Sequence, residues 1–231
     1  MEKGRKIILF QGDSNTDAGR NKTDAPKNYW LGDGYVTMIA GEILSKHPEL
    51  DILNRGVGGN RIADIYGRWQ EDTLNINYDV LSLLCGINDV GFDLRLGRGS
   101  DQSRFEFIYD RMMYEAKEVN PDAKLVLCQP FLLKIDVNGT NFEGNFGNDI
   151  FRNWSTWDTE IKKRDEVVKK MAQKYNAIYV PFGDELHKAE KNVGIHRMTN
   201  DCIHLTPVGN YILAKTWLDY TQRLFECSKK K

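Results

Sequence analysis

Five short apolar segments alternate with longer amphipathic segments, and this alternation restricts the possible folds of the 231-residue chain more than any other feature. The apolar segments predict strands at 6–10, 51–54, 80–84, 124–128 and 177–180. The intervening patterns predict helices near 34–46, 61–74, 103–119 and 157–174. A final helix is predicted to begin with Thr206 as its N-cap and Pro207 at its first position.

Strands that alternate with helices form βαβ units and a mostly parallel sheet. We therefore predict a three-layer α/β/α sandwich with a five-stranded sheet in the flavodoxin-like order 2-1-3-4-5. Residues 1–231 are expected to form a single domain. One segment breaks the alternation: 134–156 is rich in Asn, Gly and aromatic residues, and it predicts a long irregular loop at the rim of a site or at an interface.

The composition excludes several classes of protein. The chain has 32 basic and 33 acidic residues, a balance that argues against nucleic acid as a partner. Four scattered cysteines do not make a disulfide framework. No apolar segment is long enough to form a signal sequence or to span a bilayer, so we expect no membrane partner and a cytoplasmic location.

Candidate catalytic residues follow the predicted strands. Ser14 follows the first strand, a turn with three glycines at 54–60 follows the second, and Asn88 follows the third. Asp201 and His204 lie in a short loop before the last helix. Ligands of such folds bind at the carboxyl ends of the strands, so we expect these groups to meet there. A hydroxyl nucleophile, amide donors and a base with a carboxylate partner are what acyl transfer requires.

Four blocks in this order resemble the SGNH (GDSL-type) hydrolase superfamily. The blocks are Gly12-Asp13-Ser14, residues 54–59, residues 86–89 and residues 201–204. The resemblance implies the SGNH hydrolase fold and a catalytic triad of Ser14, Asp201 and His204. It also implies an oxyanion hole formed by Ser14, Gly59 and Asn88, and it requires no metal and no organic cofactor.

Within the superfamily, residues 34–36, 54–60, 68–69 and 86–90 are most similar to intracellular bacterial acetylxylan esterases. This resemblance implies a small acylated carbohydrate as substrate, with acetylated xylo-oligosaccharides as the expected class. Two positions depart from the pattern: Asn15 stands where the GDSL name has Leu, and Asn200 stands where these esterases carry Trp. Substrate binding is assigned to four residues, which are Asp13, Trp30, Trp69 and Asn200.

The sequence leaves alternatives open. The same triad would serve a lipase, a lysophospholipase or a thioesterase. A Mg²⁺-dependent phosphatase with Asp13 as nucleophile would need an acid at position 15, where this chain has Asn. A carbohydrate-binding module with an inactive site is a non-enzymatic alternative. The aromatic residues of 134–156 would either contact substrate, cover the sheet edge or join subunits of a homo-oligomer.

Overall fold

A computed structural model describes residues 6–23, 30–135 and 147–225. Its centre is a five-stranded sheet of parallel strands in the order β2-β1-β3-β4-β5, which confirms the predicted order. The strands are β1 (Lys6–Gly12), β2 (Leu50–Asn54), β3 (Val80–Leu84), β4 (Lys124–Cys128) and β5 (Ile178–Val180). Each agrees with its predicted segment to within two residues at either end.

The helices flank this sheet. Their bounds are α1 (Ser14–Asp17), α2 (Tyr35–Lys46), α3 (Ile62–Gly67), α4 (Ile87–Leu96), α5 (Gln102–Val119), α6 (Gly147–Arg152), α7 (Trp154–Lys174), α8 (Phe182–Val193) and α9 (Pro207–Thr221). Short π- and 3₁₀-helical segments lie at Gln70–Leu74, Ile195–Arg197 and Gln222–Leu224. Thr206 caps α9 as predicted, and its side chain accepts from the Gly209 N–H at 3.4 Å.

Side chains alternate across the sheet and divide the core into two layers. Ile8 and Phe10 of β1 face a cluster that includes buried residues of α2, α8 and α9. Leu9 faces the opposite cluster, which includes residues of α3, α5 and α7. The Trp217 ring of α9 packs 5.2 Å from the Phe10 ring, centroid to centroid. The predicted three-layer α/β/α sandwich is therefore confirmed.

The strand register aligns the ends of the central strands. Gly12 of β1 pairs with Leu84 of β3, and Leu84 pairs in turn with Cys128 of β4. On the other side, Phe10 pairs with Asn54, the last residue of β2. The segments that follow β1, β2 and β3 therefore leave the sheet at one edge, where the sequence places its polar motifs.

Some helix predictions differ from the structure. The helices α4 and α8 are absent from the prediction. The predicted continuous helix over 61–74 is divided into two parts, since α3 ends at Gly67 and a π-helical segment begins at Gln70. The predicted irregular segment 134–156 is wrong in its second half, because α6 and the start of α7 occupy it. Its residues 136–146 lie outside the described residues. None of the helices that the structure describes is long and apolar enough to cross a membrane.

Candidate active site

The turn after β1 brings Ser14 to the carboxyl edge of the sheet. Asp13 caps α1, and Ser14 is the first residue of that helix, so the serine follows the strand with one residue between them. This abrupt change of direction requires a glycine at position 12. A β-carbon there would lie 2.3 Å from Thr16 Oγ1 and 2.5 Å from the Leu84 carbonyl oxygen, which is far inside contact distance.

Three side chains form a continuous hydrogen-bonded line at this edge. His204 Nε2 lies 2.9 Å from Ser14 Oγ, and His204 Nδ1 lies 2.5 Å from Asp201 Oδ2. Ser14 is partly exposed and the imidazole is about half exposed, so the line opens to solvent. The structure thus brings together the three residues that the sequence predicts as a triad.

The loop before α9 aims the imidazole. Asp201 Oδ1 accepts the backbone N–H groups of Ile203 at 3.0 Å and His204 at 2.6 Å, so one carboxylate fixes both the loop and the ring. Thr199 Oγ1 donates to the His204 carbonyl oxygen at 2.7 Å. Cys202 takes a left-handed conformation at φ +73° and is buried, which directs the chain back toward Ser14.

The same contacts shift the two titrating groups in opposite directions. The hydrogen bond that His204 donates to Asp201 raises the pKa of His204 above its ordinary value, against a smaller opposing effect of burial. For Asp201, burial pushes the pKa up, but hydrogen bonds from the His204 side chain and backbone outweigh it, and the pKa falls below its ordinary value. The pair therefore favours an ionised carboxylate that stabilises a protonated imidazole.

The residues predicted to form the oxyanion hole lie in segments that follow β1, β2 and β3. Asn88 lies in the first turn of α4 and is almost completely buried; its Nδ2 donates to the Asn60 carbonyl oxygen at 3.1 Å, which leaves its second amide hydrogen for another acceptor. Gly59 has φ +80° and open space where a β-carbon would sit. The N–H groups of Ser14 and Gly59 have no acceptor among the residues that the structure describes.

Two residues outside the predicted set hold these loops in place. Asn54 donates its amide to the carbonyl oxygens of Thr16 at 2.6 Å and Leu31 at 2.8 Å, and its Oδ1 accepts the Gly56 N–H at 2.9 Å. Arg68 extends from the end of α3 and bonds five partners, which are the side chains of Gln11, Asn60 and Asp72 and the backbone oxygens of Gly12 and Arg55. Both lie inside segments quoted for the resemblance, but nothing in the residue types alone indicates these contacts.

The four residues predicted to bind substrate separate into two groups. Trp30 and Asn200 are exposed, and substrate binding by them stays a prediction. The prediction for Trp69 is wrong, since only 1% of this residue is exposed and it packs in the core beside Leu9 and Leu81. A ring enclosed by the core cannot stack on a sugar.

The prediction for Asp13 is wrong for a similar reason. Only 1% of Asp13 is exposed, and its Oδ1 accepts the Asn15 N–H at 3.1 Å as the cap of α1. Burial raises the pKa of Asp13 to about 7, although the Asn15 hydrogen bond and the nearby His204 oppose the shift. The carboxyl is a buried part of the turn that carries Ser14, so it does not face a substrate.

The described residues contain no group of three or more His, Cys, Asp or Glu side chains that could hold a metal ion. A serine hydroxyl bonded to a carboxylate-paired imidazole has the geometry of a nucleophile and its base in acyl transfer. The parallel α/β sheet and this arrangement together define an esterase-type site.

Comparison with known proteins agrees with this class. The profile of the GDSL-like Lipase/Acylhydrolase family matches residues 10–212, and the chain belongs to that family. An acetylxylan esterase of Geobacillus stearothermophilus is 28% identical over 216 residues, which is 91% of each chain. The protein is accordingly a carboxylic ester hydrolase.

Solved structures show the same fold. A structure from Parabacteroides merdae described as a GDSL-like lipase superposes with a TM-score of 0.83 at 31% identity, covering 95% of this chain and 97% of the other. Axe2, an acetylxylan esterase from Geobacillus stearothermophilus, superposes with a TM-score of 0.78 at 25% identity, covering 95% and 96%. Serine-to-alanine and aspartate-to-alanine forms of Axe2 have been solved as catalytic mutants.

Proposed function

We propose that this protein removes acetyl groups from acetylated carbohydrates, with acetylated xylo-oligosaccharides as the substrate class, through an acyl-enzyme formed on Ser14. The observation that carries the proposal is the unbroken line from Ser14 Oγ through His204 to Asp201, with spacings of 2.9 and 2.5 Å. The acetylxylan esterases among the relatives support the choice of acyl group and alcohol.

In the first step, Ser14 Oγ attacks the ester carbonyl carbon while its proton passes to His204 Nε2. Asp201 stabilises the imidazolium and holds the tautomer that presents Nε2 to the serine. The negative charge that develops on the carbonyl oxygen is met by the N–H groups of Ser14 and Gly59 and by Asn88 Nδ2. Collapse of this intermediate breaks the ester C–O bond, and the sugar oxygen leaves with the proton from His204.

In the second step, water replaces the sugar. His204 removes a proton from the water molecule as its oxygen attacks the acetyl carbon on Ser14. The second tetrahedral intermediate uses the same amide donors, and its collapse returns the proton to Ser14 Oγ and releases acetate. Each step uses groups of the chain itself.

The exposure of the triad favours a bulky polar alcohol. The His204 side chain is 52% exposed, and Ser14 is partly exposed at the sheet edge. A hydrated sugar can approach such a site without losing all its hydrogen bonds to water, whereas a long acyl chain gains affinity only where apolar walls enclose it. The short acetyl group needs little enclosure, so the geometry favours it over the long acyl chains of a lipase or lysophospholipase.

The phosphatase alternative needs Asp13 as an attacking nucleophile. Its side chain is enclosed behind Ser14 and caps α1, so its carboxylate has no route to a phosphorus atom. We therefore do not propose that activity.

The decisive experiment compares acyl lengths and then alcohols. Hydrolysis of acetyl, butyryl and octanoyl aryl esters is measured first, followed by acetate release from acetylated xylo-oligosaccharides and from other acetylated sugars. We expect the acetyl ester to have the highest kcat/KM, and we expect Ser14→Ala to lose nearly all turnover while its thermal unfolding stays cooperative. A preference for octanoyl esters, or wild-type rates in Ser14→Ala, would refute the proposal.

A further inference from the structure

Asp17 links the helix that carries Ser14 to the loop that carries Gly59. It is the last residue of α1, and its Oδ2 accepts the backbone N–H of Gly58 at 2.8 Å. The Gly58 N–H belongs to the Val57–Gly58 peptide, which directly precedes the peptide that carries the proposed oxyanion donor, the Gly59 N–H. Neither the family blocks nor the triad assigns a role to this side chain.

Burial of the Asp17 carboxylate is energetically unfavourable. Only 6% of the residue is exposed, and Oδ1 is buried without a hydrogen-bond partner among the residues that the structure describes. An ionised group in such surroundings destabilises the fold unless strong contacts compensate it. The compensation comes from Lys22, whose Nζ lies 2.8 Å from Oδ2, and from the Gly58 N–H on the same oxygen.

The loop and the helix pack closely around this contact. A β-carbon on Gly56 would lie 2.4 Å from the Asp17 backbone nitrogen, so the glycine turn lies directly against α1. Arg20 Nε donates to the Gly56 carbonyl oxygen at 2.7 Å from the other side. Packing and Arg20 therefore fix the glycine turn at Gly56. Asp17 fixes the Val57–Gly58 peptide that follows.

We propose that Asp17 is a positioning residue for ester hydrolysis: it fixes the Val57–Gly58 peptide and thereby the start of the next peptide, whose Gly59 N–H is to point at the developing oxyanion. This inference rests on the proposed function. A hydrogen bond to an ionised acceptor is shorter and stronger than a neutral one, and oxyanion donors act only within a narrow range of distance. Lys22 balances the Asp17 charge, which would otherwise oppose negative charge on the substrate oxygen.

The experiment measures kcat and KM on an acetyl aryl ester for Asp17→Ala and Asp17→Asn. The alanine variant removes the acceptor of the Gly58 N–H, and we expect its kcat to fall about 10- to 100-fold with KM nearly unchanged, a partial loss of one oxyanion donor. The asparagine variant keeps a neutral acceptor oxygen but loses the charge, so we expect it to recover only part of that loss. Inhibition by phenylboronic acid, which forms a tetrahedral adduct with a serine oxygen, should weaken in parallel with kcat.

Asp165→Ala provides a matched control. Asp165 is also 6% exposed and also bonds a lysine, Lys169, at 2.7 Å, but it lies on α7 beside Tyr179 rather than on the nucleophile helix. We expect this variant to lose thermal stability while its kcat remains close to that of the wild type. Thermal unfolding of all variants separates lost folding from lost positioning.

The outcomes distinguish this inference from the proposed function. If Ser14→Ala is inactive but Asp17→Ala keeps the wild-type kcat, only the role of Asp17 is refuted. A rise in KM at constant kcat, or an equal loss of kcat in Asp165→Ala, would also refute it. If Ser14→Ala retains wild-type turnover, the proposed function itself fails.

Discussion

Asn88 and Asn60 are joined by a hydrogen bond of 3.1 Å from the Asn88 side-chain amide to the Asn60 backbone oxygen, which ties the start of α4 to the turn after β2. One amide hydrogen is therefore occupied, and its position fixes the direction of the other. Two loops from neighbouring strands are thereby set in a common geometry before substrate arrives.

Replacement of Asn88 by alanine tests this arrangement. Because the contact to the substrate oxygen strengthens as charge develops, we expect kcat to fall by roughly 10²–10³ with a smaller change in KM. Steady-state kinetics on an acetyl aryl ester measures both constants. An unchanged kcat would remove Asn88 from the oxyanion hole, and circular dichroism would show whether α4 remains folded.

Replacement of Asp201 by asparagine should change both the rate and its pH dependence. Only neutral His204 can act as the base, and its pKa is raised chiefly by the Asp201 hydrogen bond, so wild-type activity is lost on acidification at a higher pH than for an ordinary histidine. Without the carboxylate, we expect the acid limb of kcat/KM to move to lower pH. A comparable exchange in serine proteases lowers kcat about 10⁴-fold, and we expect a loss of this order.

If the acid limb of kcat/KM in Asp201→Asn stays at the wild-type pH, the prediction is wrong and a group other than His204 must be responsible for the titration. A pH profile of kcat/KM across the neutral range decides this, with unfolding measured at each pH as a control for stability.

Replacement of Asp13 by asparagine should change how stability depends on pH. The Asp13 carboxyl has a pKa of about 7 in the folded protein against an ordinary value of 3.8, so the folded state binds a proton more tightly than the unfolded state does. This group therefore lowers the free energy of unfolding as the pH rises from about 4 to 7, and an amide removes that dependence. Urea unfolding across this window should give a shallower decline for the variant, and an identical slope would contradict the prediction.

Replacement of Trp69 by alanine distinguishes core packing from substrate binding. Since the indole is enclosed and its Nε1 has no hydrogen-bond partner among the described residues, its role is packing, and we expect a loss of about 3–5 kcal/mol in the free energy of unfolding. The KM for acetylated sugars should stay near the wild-type value in the fraction that remains folded. A higher KM with unchanged stability would contradict the buried position.

The sequence predicts the sheet and the triad for different physical reasons. The central strands β1, β3 and β4 are short apolar runs that are mostly buried on both faces, so their composition identifies them. Ser14 and His204 are predicted to meet because parallel strands end at a common edge, although 190 positions separate them. The distance between the Ser14 and His204 side chains depends on loop contacts, such as those of Asn54, which cannot be predicted from residue types.

The two unpredicted helices, α4 and α8, differ in their sequence patterns. In α4, buried residues are confined to the first five positions, 87–91, so no repeat of 3.6 residues develops. In α8, the core-facing residues Phe182, Leu186, Ala189 and Val193 recur at helical spacing, so the sequence contains a helical signal that the prediction leaves out. The sequence does not predict the position of Trp69, because an aromatic residue at a helix end can face either the core or a substrate. Only the tertiary packing decides between the two.

The distance along the chain between Ser14 and His204 has a consequence for synthesis in the cell. Chains grow from the N-terminus, so the nucleophile leaves the ribosome long before its base does. A nascent chain that has completed β1 to β5 but has not yet released the loop at Asp201 possesses the hydroxyl and the amide donors without a proton acceptor. Under the proposed mechanism, ester hydrolysis begins only when the loop that carries Asp201 and His204 has reached Ser14.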